Sequence, residues 1–282
     1  MTMKAWQIRD RYFDWGQRTY LMGVINVTPD SFSDGGLFNS PQSALAQADR
    51  LIPHVDILDI GGESTRPGSA SVSVEDELNR ILPVIEAIRR KYIHIPISVD
   101  TTKASVAGAA LQAGADMIND VSAGKFDPDM LPLAAQYQAP IVLMHMQGEP
   151  RTMQIDPHYG DLISEVRQFL ADAIADAIAS GLPKHLIAID PGIGFGKTLA
   201  HNLELLRSLP EFQSLNCPIL IGVSRKSFIG KLCDRPNPRD RLWGTAAACT
   251  VAIAGGANIL RVHDARAIQD VCCVSDAIYR QH

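Results

Sequence analysis

The sequence has no pair of cysteines at CxxC spacing. Its five cysteines, Cys217, Cys233, Cys249, Cys272 and Cys273, are an odd number and all lie beyond residue 216 of 282. That pattern does not suit a closed disulfide framework, so reduced thiols in a cytoplasm are expected. No histidines, cysteines and carboxylates cluster at transition-metal spacing, and any metal is expected to be a hard, weakly held ion such as magnesium. Basic blocks are absent too. Lys and Arg number 26 against 31 Asp and Glu, a net charge of −5, which gives nucleic acid or an anionic membrane no foothold as main partner. An anionic substrate would need a local basic pocket. The opening MTMKAWQIRD carries charge throughout and lacks the apolar centre of a secretory signal. The one long uncharged stretch, Trp243 to Leu260, is diluted by Ala and Thr and broken by Gly255-Gly256, too weakly apolar for a membrane span.

Several motifs fail by one residue. GIGFGKT (192–198) resembles a phosphate-binding loop, but Pro191 stands where the first glycine of GxxxxGK[ST] is required, and Lys197 spoils a GxGxxG reading. GVSRK (222–226) lacks the closing glycine of a nucleophile elbow, so Ser224 is a poor hydrolase candidate. Asn26-Val27-Thr28 matches a glycosylation sequon that has no meaning in a cytoplasmic chain.

What remains is a packed globular composition, 46% hydrophobic and 20% charged, with a strong repeat. Short apolar runs at Tyr20–Val27, Val55–Ile60, Ile95–Asp100, Met117–Val121, Ile141–Met146, Leu186–Ile189, Ile219–Val223 and Ile259–Val262 read as strands. Helical segments alternate with them at Ser43–Ile52, Val74–Arg90, Lys103–Ala113, Met130–Gln138, Asp161–Ser180, Asn202–Ser208, Arg239–Ala254 and Ala265–Tyr279. After a leader of about 18 residues the remaining 264 divide into eight units of 33, the size of a βαβ repeat. The runs are apolar throughout, as parallel strands covered on both faces require. An α/β fold follows: one (β/α)8 TIM barrel over residues 1–282, with residues 1–18 as a hairpin-like leader that could plug its N-terminal end, Trp6 and Trp15 equally suiting ordinary packing aromatics.

Barrel enzymes build their sites where strands end. Here those ends carry Asn26, then Gly61 to Arg66, Asp100, Asn119-Asp120, Met144-His145, Asp190, Ser224-Arg225-Lys226, and Arg261 with His263. Functional side chains at all eight ends indicate a polar ligand spanning the whole mouth, although any one of them could be a cap. Arg261 and His263 lie two apart and share a face, suited to an anion such as phosphate with Asn26 opposite. The alternative is Arg261 paired to a carboxylate such as Asp264. Asp100 and Asp190 sit in apolar strand ends, where each needs a donor. A heterocycle with a guanidine-like edge would serve, with Asn119 completing the match; local pairing within the protein is the alternative. The segments TPDSFSDGG (28–36) and ESTRPG (63–68) read as mobile lids or else as solvated connections, and 146–160 as a surface loop.

Seven segments taken together, GVINVTPDSFSDGG (23–36), DIGGESTRPG (59–68), SVDT (98–101), INDVSAG (118–124), DPGIGFGKT (190–198), GVSRKSFIG (222–230) and RVHD (261–264), closely resemble the dihydropteroate synthase family of pterin-binding (β/α)8 barrels, in that family's order. The resemblance runs from about Met22 to His263. It implies condensation of 6-hydroxymethyl-7,8-dihydropterin diphosphate with p-aminobenzoate to give 7,8-dihydropteroate and pyrophosphate in folate biosynthesis, assisted by magnesium.

Carried over residue by residue, Asp100, Asn119, Asp190 and Lys226 match the pterin pocket, with Met144 on the pterin face. Asn26, as metal ligand, Arg261 and His263 match the diphosphate end. Thr65 and Arg66 match the second loop, while Pro67, Phe195 and Ser227 look like aminobenzoate contacts. Asp30, Ser31, Phe32 and Asp34 fall in the first loop. Catalysis would rest on Asp100, Lys226, Arg261 and His263, with Asp34 helping Asp100 to stabilise a carbocation. A pterin-dependent methyltransferase acting with a corrinoid partner, or a non-catalytic pterin-binding paralogue, are the alternatives. The uncharged Thr245–Ala254 and the Val271-Cys272-Cys273-Val274 segment predict a homodimer through the seventh and eighth helices, as in that family; burial by the chain's own leader or termini would be the other reason for their lack of charge.

Overall fold

The computed structural model describes residues 3–28, 41–64, 69 and 71–280. The leader forms β1 (Trp6–Ile8) and β2 (Arg11–Phe13), antiparallel with Trp6 opposite Phe13. Eight parallel strands follow: β3 (Tyr20–Asn26), β4 (Ile57–Gly61), β5 (Ile97–Asp100), β6 (Met117–Asp120), β7 (Ile141–Met144), β8 (Ile187–Asp190), β9 (Leu220–Ile221) and β10 (Ile259–Val262). They pair in the order β8-β7-β6-β5-β4-β3-β10-β9. The ring closes through an Ile189–Ile219 bridge, with Ile189 N–H donating to the Pro218 carbonyl at 2.9 Å. All eight expected strands are present, and the closed parallel barrel is the fold the repeat predicts.

Side chains alternate across each strand. Leu21, Ile25, Leu58, Ile60, Ile97, Val99, Ile118, Leu143, Ile189, Leu260 and Val262 point outward into the main core. They meet there the helices α1 (Pro41–Leu51), α2 (Val74–Lys91), α3 (Ala104–Gln112), α4 (Met130–Tyr137), α5 (Leu162–Ala179), α6 (Leu199–Arg207), α8 (Leu242–Ala254) and α9 (Ala265–Tyr279). Start signals are local: Ser73 caps α2 by accepting from Asp76 N–H, ahead of Glu75, Asp76 and Glu77. Asp161 caps α5 in the same way. Gly23 on β3 is needed for contact, since a Cβ there would stand 2.9 Å from Val55 Cγ1.

Inward residues divide by height. Near the strand starts, Met22, Ile57, Met117, Val142, Ala188, Leu220 and Ile259 join Trp6, Ile8, Phe13, Trp15 and Tyr20 in a separate apolar cluster. Trp6 meets Trp15 edge to face at 5.0 Å, and its indole N–H donates to the His185 carbonyl. The leader is therefore a hairpin that seals the bottom of the barrel.

Departures from the sequence expectation cluster around β9. That strand is two residues long, and it is followed by α7 (Ser227–Cys233), which the pattern does not reveal. Gly230 weakens α7 as a helix, but its missing side chain lets Arg241 and the Arg235 carbonyl come within 2.7 Å of where a Cβ would be. Where a helix is expected from Arg239, a 3-10 turn over Pro238–Arg241 precedes α8. Apolar side chains stand exposed along the last two helices, among them Trp243 at 82%, Val274 at 62% and Ile278 at 65%. Among the described residues no helix is long and apolar enough to cross a membrane.

Trp6→Ala should destabilise the protein by about 3–5 kcal/mol in urea unfolding, the range for a buried large-to-small aromatic change. A loss under about 1 kcal/mol would show that the hairpin merely rests on the barrel.

Candidate functional site

Continuing the inward alternation above the plug come the polar Asp59, Ser98, Asp100, Asn119, Asp190 and Arg261, with the apolar Met144 among them, each the last residue of its strand or one or two before it. Register fixes their neighbours: Asp100 lies opposite Asn119, and Met144 opposite Asp190. One pocket at this end is lined by Asp100, Asn119, Met144, Asp190, Phe195, Lys226, Arg261 and His263, eight of the residues singled out in the sequence, with Val121, Ile193, Gly222 and Ser224 between them. Ser227 begins α7, is exposed, and is not part of this lining. Asn26 ends β3 beside Gly61 and is half-buried. Asp30, Ser31, Phe32 and Asp34 of the first loop, and Thr65, Arg66 and Pro67 of the second, lie outside the described residues.

Arg261 sits at the centre. Its Nε donates to Asp59 Oδ2 and its Nη2 to Asp100 Oδ2, each at 2.6 Å. Of the two readings of Arg261 open on sequence, the carboxylate pairing is present, but with different partners: Asp264 is held instead by Arg225, at 2.9 and 2.5 Å. Asp59 was not singled out, because inside ILDI it reads as part of an apolar run. The available signal was a carboxylate in a fully buried strand, which must have a partner. Its Oδ2 also accepts from Asn119 Nδ2 at 3.1 Å, turning the Asn119 carbonyl oxygen away as an acceptor.

Burial pushes the Asp100 carboxyl up to about 7; Arg261 pulls it down, and Asp59, Glu77 and Asp120 push it further up. Burial likewise raises Asp190 to about 6, against the Gly192 N–H that donates to its Oδ1 at 2.7 Å and the positive charges of Lys226 and Lys197. Lys226 is pushed down to about 8 by burial, an effect that Asp190 opposes and Arg261 reinforces. Its ammonium lies 4.1 Å from the centre of the Phe195 ring. What aims Lys226 inward is the preceding Arg225, held in the left-handed region at φ 59°. Its N–H is bound to Thr245 Oγ1 at 3.0 Å, its carbonyl to Arg241 Nη1 at 2.8 Å, and its guanidinium to Asp264. His263 is steadied by Ser224, whose Oγ accepts from its N–H at 3.2 Å and meets its Nδ1 at 3.0 Å.

Two strand-end residues have structural roles. Asp120 points outward and caps its own turn, accepting from the N–H groups of Ser122 and Gly124. His145 turns away from the pocket against Phe169. The 146–160 segment is less superficial than its polarity suggests, since Met153 is buried and the Tyr159 hydroxyl donates to the Gly196 carbonyl at 2.8 Å.

Two acceptor carboxyls, an amide oxygen and a cationic donor around an apolar slot fit a flat heterocycle with N–H groups along one edge and a carbonyl. Among the described residues no three His, Cys, Asp or Glu converge as a metal cage. Asn26, at the end of β3, offers a hard oxygen donor near the mouth. A larger groove of about 680 Å³ opens at the opposite, strand-start end. Its buried charges are matched, Arg18 to Asp56 and Asp276 to Thr19 and Arg280, while Arg11 is exposed, and that rim serves stability in barrel folds.

The sequence model of the pterin binding enzyme family matches residues 22–263. The chain is 55% identical to the dihydropteroate synthase of Synechocystis sp., over 95% of this chain and 93% of that protein. It superposes on Xanthomonas albilineans dihydropteroate synthase solved with 4-aminobenzoic acid at a TM-score of 0.89, with 45% identity and 96% of both chains covered. Against the same enzyme in complex with 7,8-dihydropteroate the TM-score is 0.85, with 44% identity over 94% of this chain and 95% of the other.

The raised Asp190 carboxyl gives a stability signature. The folded state holds this proton more tightly than the unfolded chain, so its contribution is fully present below the ordinary value of 3.8 and is lost as pH rises to about 6. At about 1.36 kcal/mol per unit the loss is about 3 kcal/mol. Asp190→Asn should remove it, so that variant and wild-type unfolding free energies diverge between pH 4 and 6 and run parallel above 7. Parallel curves throughout would contradict the assignment.

Proposed function

The chain belongs to the pterin-binding enzyme family, and from that premise we propose that it is a transferase catalysing the dihydropteroate synthase reaction of folate biosynthesis. In that reaction p-aminobenzoate displaces diphosphate from 6-hydroxymethyl-7,8-dihydropterin diphosphate. The observation that carries the reading is the pocket floor, where Asp100, the Asn119 oxygen and Asp190 present acceptors to one edge of a flat ring while Lys226 presents the donor. A pterin supplies the complementary edge: an amino group and ring N–H groups for the carboxylates, and a carbonyl for the ammonium.

The bond that breaks is the methylene carbon to oxygen bond, whose electron pair leaves with diphosphate. Arg261 and His263, at the upper end of β10, meet that growing negative charge. The methylene carbon becomes cationic, and Asp100, half of its charge partnership already with Arg261, faces it as a carboxylate. The aniline nitrogen then donates its lone pair to form the new C–N bond and releases its proton to solvent or diphosphate, with no covalent enzyme intermediate. Phe195, under the Lys226 ammonium, gives the aminobenzoate ring an apolar wall.

A magnesium ion at this mouth would be held by Asn26 as its protein ligand, since no carboxylate cage forms among the described residues. When bound it supplies charge neutralisation to the leaving group. Reduced thiols and a chain without an apolar spanning helix among the described residues support a cytoplasmic setting. The exposed Trp243, Val251, Val274 and Ile278 of α8 and α9 support a homodimer through those two helices. Light scattering at micromolar protein should give twice the chain mass, and a monomer mass would exclude that interface.

Mixing the protein with both substrates should release pyrophosphate only when p-aminobenzoate is present. Arg261→Ala should abolish turnover while leaving a folded protein by circular dichroism. Near-normal turnover in that variant would remove Arg261 from the diphosphate end, and a wild-type protein that binds pterin but releases no pyrophosphate would favour a non-catalytic paralogue or a corrinoid-linked methyltransferase.

A further inference from the structure

The failed phosphate-loop motif GIGFGKT still needs a role, because its lysine is not at the surface. Lys197 is 2% exposed, and its Nζ lies 2.9 Å from His145 Nδ1 and donates to the Phe195 carbonyl at 2.9 Å. The loop between β8 and α6 is wrapped around this ammonium. Gly192, Gly194 and Gly196 take φ of 75°, 84° and 63°. A Cβ on Gly192 would fall 1.8 Å from the His145 carbonyl oxygen. Asn202 ties the far side, accepting from Gly194 N–H at 2.6 Å and donating to the Thr198 carbonyl at 2.7 Å. A loop that faces the mouth is thus built around a buried amine, which burial pushes down to about 7 while the Asp190 charge opposes the shift.

We propose that Lys197, held between the His145 ring and the Phe195 carbonyl, is a positioning residue for the second substrate, fixing the Phe195 ring against the Lys226 ammonium. It touches neither substrate. His145 can serve as its acceptor because the ring is neutral: burial first, and the Lys197 charge second, push its pKa down to about 3. The Nδ1 lone pair then faces the ammonium, and the ring proton sits on Nε2. Asp190 takes its hydrogen bond from Gly192 N–H and feels Lys197 only through its charge, which adds to that of Lys226, so removing the ammonium loosens the Phe195 carbonyl and leaves Asp190 that hydrogen bond.

This role rests on the dihydropteroate synthase reading, and the experiment separates the two. In steady-state assays Lys197→Met, which keeps an unbranched apolar side chain and removes the ammonium, should raise KM for p-aminobenzoate about tenfold, with pterin Kd by calorimetry within about twofold of wild type. Should Lys197→Met not fold, the acceptor side gives the same answer: His145→Leu should raise that KM several-fold, while His145→Asn, whose Oδ1 replaces Nδ1, should restore it. An unchanged KM in both Lys197→Met and His145→Leu, or a pterin Kd that rises in step with KM, would overturn the positioning role while wild-type turnover leaves the reaction intact. Absence of wild-type turnover would instead remove the reaction, and this role with it.

Discussion

A guanidinium between two carboxylates inside a closed barrel is the constraint around which the site is arranged. Arg261 reaches Asp59, 202 residues away in sequence, and Asp100, 161 residues away. None of the three could be left alone there, since an unpaired charge in such surroundings is costly. Asp59 also orients Asn119, and the charge of Arg261 bears on Asp100, Asp190 and Lys226. One buried ion cluster therefore sets which atoms of the pocket accept and which donate.

The barrel keeps this chemistry stable by separating it from the elements that hold the chain together. At the strand starts the inward side chains are apolar and capped by the aromatic hairpin; two residues further along β4, β6, β8 and β10 they are Asp59, Asn119, Asp190 and Arg261. The same alternation that sends Leu58 and Ile60 to the helices sends Ile57 to the plug and Asp59 to the site. Stability and chemistry occupy opposite ends of the same strands, and the buried charges of the larger groove at the plugged end are paired with one another.

The surrounding loops are held by constraints that a regular strand or helix does not supply. Arg225 accepts a left-handed backbone and is bound through its N–H, its carbonyl and its guanidinium, so Lys226 is aimed by a locked turn. The three left-handed glycines of the 192–196 segment allow the loop to close around Lys197. In both places backbone conformations that would otherwise be unfavourable persist because several side chains over-determine them.

By its period and residue types alone, the sequence determined eight buried parallel strands, the helices between most of them, and the polar end of the barrel, while it left open whether the aromatic leader seals the other end. These are local properties: alternation, capping residues and apolar runs act over a few residues, and the seven family-like segments supplied the ligand class. Tertiary structure alone decided the partners. Asp59 looked like one more residue of an apolar strand until closure of the ring brought Arg261 against it. Lys197 looked like a broken phosphate loop until the loop folded inward onto His145. Asp264, adjacent in sequence to His263, went to Arg225 and not to Arg261. The short α7 was hidden because its stability comes from Arg241 and Arg235 packing over Gly230, not from its own pattern. Charge pairing across a barrel depends on which strands become neighbours, and no interval along the chain encodes that.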